Sequence, residues 1–168
     1  MTLWMEEWRW FPPFWALGAL PYPTGNVYAR AHTLRQTLRL LQHPPRVLFL
    51  FPEGTIHADP ELLPFGRSLY WLTQHVPNVQ VFPMAIAITH TRHQYPRAFM
   101  AVEQPIVLQT DPPQWLKQAQ DIVYTMLYTL REEADRCDTF AKAAQAGFEL
   151  LVQGKLSIHE RRWVKYMP

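Results

Sequence analysis

The sequence predicts an α/β protein with a mixed, partly parallel central sheet flanked by helices. "RVLFLF" (46–51) opens on Arg46 and is then uninterruptedly apolar from Val47 to Phe51, stopping at Pro52-Glu53-Gly54, the pattern of a fully buried strand. "VQVFPMAIAIT" (79–89), broken by Pro83, and "RAFMAVEQPIVL" (97–108) repeat the pattern. Segments with leucines at helical spacing alternate with these runs, which favours a sheet covered by helices.

Taken in order, the chain opens on "MTLWMEEWRWFPPFWALGAL", with Trp4, Trp8, Trp10, Phe11, Phe14 and Trp15 close together. Such rings suit a water–lipid interface, because an indole is apolar while its N–H stays wet. Packing beneath a loop or over a core is the plainer reading and is preferred. "RAHTLRQTLRLLQ" places Leu34, Leu38 and Leu41 on one face and Arg35 and Arg39 on another, predicting a helix over 32–42 that ends before Pro44-Pro45. The strand 46–51 follows. A helix over 66–76 turns Leu69, Leu72 and Val76 inward, and strands are expected over 80–88 and 98–108. Asp111-Pro112-Pro113 is a helix start, with proline where no N–H is needed. Trp115, Ala119, Ile122, Val123, Met126, Leu127 and Leu130 keep the 3.6-residue period through 113–135. A last helix, 138–152, ends at Gly154.

With 168 residues the chain is expected to be one domain, 1–168, with an aromatic-rich opening (1–25) and a C-terminal helical extension (136–168). A hydrophobic fraction of 48% and a charged fraction of 18% exclude a disordered chain. A net charge of +2 gives no electrostatic case for a nucleic-acid partner. Twelve of the 16 cationic residues are arginine, the side chain that forks onto carboxylates and phosphates. Cys137 is the sole cysteine, so an internal disulfide is excluded and a reducing compartment is expected. No secretory signal or long apolar span is evident.

A buried strand ending in Phe51-Pro52-Glu53-Gly54-Thr55 is followed, after an amphipathic helix, by a second apolar strand with Val81-Phe82-Pro83. "FPPFWALGALPYP" with Gly18 precedes them, and "LLPFGRS" leads out of the turn. In this order the segments resemble the glycerolipid acyltransferase family, of the 1-acylglycerol-3-phosphate acyltransferase type, over roughly residues 6 to 130. The resemblance implies a glycerol-3-phosphate acyltransferase-like fold. It also implies transfer of a fatty acyl group from an acyl thioester, either acyl-CoA or acyl carrier protein, to a hydroxyl of a lysophospholipid or related glycerolipid. In the family an HxxxxD histidine takes the acceptor proton while its aspartate orients the ring. The glutamate of FPEGT holds the acceptor, and its glycine lets the backbone approach. Carried over, Phe51, Pro52, Glu53, Gly54, Thr55 and Pro83 are substrate-binding residues, to which Arg30 is added as a candidate source of charge. The partners are a thioester donor, a lysolipid acceptor and a membrane surface. No nucleic acid, cofactor or metal is implied, and the expected location is cytoplasmic, peripheral on the membrane.

The sequence also departs from that pattern. None of its seven histidines has aspartate five positions on. The family's motif lies upstream of the aromatic segment, so the chain is read as N-terminally truncated, without assigned catalytic residues. It is expected not to turn over unless an upstream HxxxxD segment is restored. Thr24 stands where the family's second block has arginine, and Ile56 and His57 replace the arginine and serine of EGTRS. Arg30 or Arg35 is left to supply charge, and a neutral or sugar-lipid hydroxyl is an alternative acceptor.

Other groupings have plainer readings. His57 with Asp59 is an acid–base pair or simply a polar turn. His90 and His93 have metal-compatible spacing but no third ligand, which favours a solvated loop. "HERRWVK" is a basic end that suits anionic head groups or plain water. A non-catalytic lipid- or acyl-binding module, or an inactive fragment, is the alternative to the enzyme. A carboxylate buried without partners is penalised, so Glu53 is expected on the rim of an open, partly apolar groove that the truncation widens, leaving Trp8, Trp10 and Phe14 more exposed than such rings normally are.

Overall fold

The computed structural model describes residues 2–5, 18–23, 25–43, 45–54, 61–90 and 95–152. The protein is a mixed α/β chain with a small parallel sheet and helices. Its contacts group into two compact units. The first comprises Met1–Val81 with Pro105–Gln120, and the second Phe82–Gln104 with Asp121–Pro168.

In the first unit, β1 (Thr2–Met5) pairs in parallel with β2 (Ala19–Pro21) on one side and β3 (Leu48–Phe49) on the other. The sequence did not announce β1 or β2. The expected buried strand 46–51 is corrected: only 48–49 are in strand, on the edge of this sheet. Val47, Phe49 and Phe51 are exposed, while Leu48 and Leu50 are half-buried. An edge strand is covered on fewer sides than the apolar run implied.

Helix α1 (Val27–Leu41) starts where the Asn26 side chain accepts a hydrogen bond from the Ala29 N–H at 3.0 Å. Its fully buried positions are Thr33 and Thr37, whereas the leucines expected there, Leu34, Leu38 and Leu41, are half-buried. The threonines face inward because each meets a polar group that needs a partner. The Trp4 indole N–H donates to Thr37 Oγ1 at 2.9 Å, and Thr33 donates to the Pro21 carbonyl. Trp4 also stacks on Tyr22, with centroids 4.4 Å apart. It therefore packs with Leu20 and Leu72 in a core, as the plainer reading of the opening aromatics expected. Trp8, Trp10, Phe11, Phe14 and Trp15 lie outside the described residues.

Helix α2 (Arg67–His75) buries Leu69 and Leu72, with Val76 just beyond, as its periodicity predicts. Asn78, a residue tolerant of left-handed backbone, takes φ 53° in the turn that follows.

In the second unit, β4 (Met84–Thr89) and β5 (Arg97–Val102) form an antiparallel pair. This corrects the single central sheet: among the described residues, β3 belongs to one sheet and β4–β5 to another. Pro83 withholds an N–H, and the strand begins after it rather than at 80. Helix α3 (Pro112–Arg136) agrees with the predicted 113–135, and α4 (Phe140–Gln145) is shorter than the predicted 138–152. Within the second unit, Met126, Leu130 and Ala134 of α3 pack with Ala85, Ala87, Phe99 and Cys137. Arg97 lies 4.3 Å from the Phe140 ring centroid, a cation–π contact. No helix among the described residues is long and apolar enough to cross a membrane.

On the exposed flank of α3, the Tyr128 phenol is held above its ordinary value by its hydrogen bond to Glu132 and by that carboxylate's charge. The neutral phenol is the favoured form, so this contribution to stability is complete below pH ~10 and is lost as pH rises through the raised folded value. Ultraviolet titration of the parent chain beside Tyr128→Phe should show Tyr128 ionising late, and Glu132→Gln should lower its midpoint.

Candidate functional site

The turn after β3 is built by two backbone hydrogen bonds. Gly54 N–H donates to the Phe51 carbonyl at 3.1 Å, and Gly66 N–H donates to the Pro52 carbonyl at 2.8 Å. Gly54 sits at φ +73°, in left-handed backbone that side chains resist, and open space surrounds its missing Cβ. The backbone is therefore uncovered at this position.

Glu53 is half-buried. Its Oε1 accepts the Leu63 N–H at 2.7 Å, tying the turn to the segment 61–66. Gln120 holds the same segment by donating from Nε2 to the carbonyls of Leu62 and Leu63 at 3.0 and 3.3 Å. The carboxylate therefore organises the loop beside it. That role was invisible in the sequence, because Leu63 is ten residues away and joined only by the fold.

Phe51 is two-thirds exposed. Val47 and Phe49, at alternate positions before it, are exposed as well, and these three apolar side chains, the ledge, lead along the chain to Pro52 and Glu53. Arg30 is half-buried in the first turn of α1, within the same unit, and Arg35 is exposed further along that helix. Pro83 is buried in the second unit, where its carbonyl accepts the Glu103 N–H at 3.2 Å. Thr55, His57, Asp59 and His93 lie outside the described residues, and His90 is exposed at the end of β4. Among the described residues, no cluster of histidine, cysteine and carboxylate side chains is arranged to hold a metal.

Two features escaped sequence reasoning: the clamp on 61–66 and the exposure of the β3 ledge. Gln120, half-buried on a helix otherwise read for its apolar stripe, was the available signal for the clamp. No family model matches the chain, and neither does any curated protein or solved structure.

Proposed function

We propose that the 51–54 turn binds the hydroxyl-bearing head of a lysophospholipid or related glycerolipid, within an acyltransferase-like chain that takes its acyl group from acyl-CoA or acyl carrier protein. The observation that carries this reading is the apolar ledge Val47, Phe49 and Phe51, which ends at a carboxylate and an open left-handed glycine. An amphipathic molecule matches that sequence of surfaces: its chain lies on the ledge and its hydroxyl donates to the carboxylate. The turn also follows a strand in parallel pairing, the end at which α/β sheets gather their sites. Membrane-surface association follows from the same ledge, which would lie toward the acyl region.

The 168 residues hold no HxxxxD, so the reading assigns them no general base. A binding module that uses the same surface without catalysis is the second reading, and this absence favours it. One experiment separates the two. Lysophospholipid vesicles are sedimented with the protein, and thiol release from added fatty acyl-CoA is followed in parallel. Both assays are run on the 168 residues and on a chain extended upstream by an HxxxxD segment: binding with thiol release by the extended chain establishes the transferase, and binding without release by either chain the module. Glu53→Gln should weaken binding about tenfold in either case, since a charge-assisted hydrogen bond is worth roughly 1.5–3 kcal/mol. Undiminished vesicle binding by Glu53→Gln, or none by the parent chain, removes the site assignment.

A further inference from the structure

The second unit contains an open cavity of about 540 Å³, lined by the five consecutive residues 86 to 90 together with Arg131 and Asp135 of α3. Ile86 and Ile88 lie on the exposed face of β4, whereas Ala87 and Thr89 lie on its buried face. A cavity that touches both faces of one strand runs along that strand's edge, and β5 occupies the other edge.

The hydrogen-bond phase fixes what this edge presents. Glu103 N–H donates to the Pro83 carbonyl, and this pair continues the register in which Met84 faces Val102. Bonded and non-bonded pairs alternate in an antiparallel ladder. Ala85, Ala87 and Thr89 therefore bond to β5, while Met84, Ile86 and Ile88 turn their N–H and C=O groups outward, toward the cavity. Among the described residues no other strand pairs with β4. "MAIAIT" also lacks the lysine or proline that usually blunts an open edge.

We propose that this edge is a self-association site, where β4 of one copy adds antiparallel to β4 of a second copy across a two-fold axis near Ala87. In that register Ile86 faces Ile88 of the second copy. Their outward backbone groups are exchanged, and their side chains meet on the exposed face. The charges beside the edge select this occupant. Arg131 and Asp135 are exposed, opposite in sign and one helical turn apart, and neither has an ion-pair partner among the described residues. A two-fold axis between them brings each arginine to the aspartate of the other copy, the self-complementarity that an isologous interface requires.

Sedimentation velocity across a concentration series tests this on the full chain, with far-UV circular dichroism to confirm folding. The parent chain should pass from monomer to dimer, with amide exchange at Ile86 and Ile88 slowing as dimer forms. Ile88→Pro removes an outward N–H without touching the β5 ladder and should leave a monomer. Arg131→Asp and Asp135→Arg should each weaken the dimer about tenfold by turning two attractions into repulsions. The doubly reversed chain should recover the parent affinity. A chain that stays monomeric, dimerises regardless of Ile88→Pro, or shows no charge-swap recovery overturns the proposal. So does a monomer that instead binds detergent micelles through Ile86 and Ile88, which would assign the edge to lipid.

Discussion

Trp115→Ala should destabilise the chain by about 3–5 kcal/mol, the range for removing a large aromatic side chain from a packed interior. Trp115 is 0% exposed, and three losses coincide at its position. The vacated ring leaves a cavity whose lining loses its dispersion contacts. The indole Nε1–H donates to the Val107 carbonyl at 3.1 Å, and the variant leaves that acceptor unmet. Tyr70 loses an edge-to-face neighbour at 5.8 Å; its hydroxyl donates to the Gln109 and Thr110 carbonyls, in the segment leading into α3. Urea unfolding followed by far-UV circular dichroism reads the change. Trp115→Phe separates the causes in large part: it keeps a six-membered ring while removing the donor and the pyrrole part of the indole, so it should cost about 1–3 kcal/mol. Equal losses in the two variants would place the energy in the hydrogen bond rather than in the packing.

Trp115 also shows why the helices were legible. Its recurrence with Ala119, Met126 and Leu130 is a local pattern, and Pro112-Pro113 marks where it starts; a helix satisfies its own backbone, so local pattern suffices. β1 and β2 had no such signal. "TLWM" and "ALP" are four- and three-residue strands, the second ending in proline, and they exist because β3 arrives from more than 25 residues away to complete the sheet. The run 46–51 was legible as apolar but not as an edge, since periodicity cannot report how many neighbours a strand has. In α1, the spacing of Thr33 and Thr37 was as helical as that of the leucines. What turned the threonines inward was the Trp4 indole and the Pro21 carbonyl, both supplied by other elements. At the site, a turn at Pro52-Glu53-Gly54 followed from composition, whereas the Leu63 clamp on Glu53 is tertiary and left no mark near residue 53.

Leu130→Ala should cost about 2–5 kcal/mol, and its value lies in which residues surround it. Leu130 is 2% exposed in a cluster with Ala85, Ala87, Phe99, Met126 and Ala134. Three of these neighbours are alanines with short, inflexible side chains. They cannot swing into the vacated volume, so the cavity should persist and the loss should fall in the upper half of the range. The face of β4 that meets the helix is therefore made of small residues that let α3 approach closely, and Leu130 fills what remains. Tyr124→Ala on the same helix is the control. Tyr124 is nearly half exposed, and alanine is the stronger helix former, so the change should stay within about 0.5 kcal/mol. If both variants fell by the same amount, α3 would be held by its own helicity. A large loss confined to Leu130→Ala means that the second unit is held by the packing of α3 on the alanine face of β4.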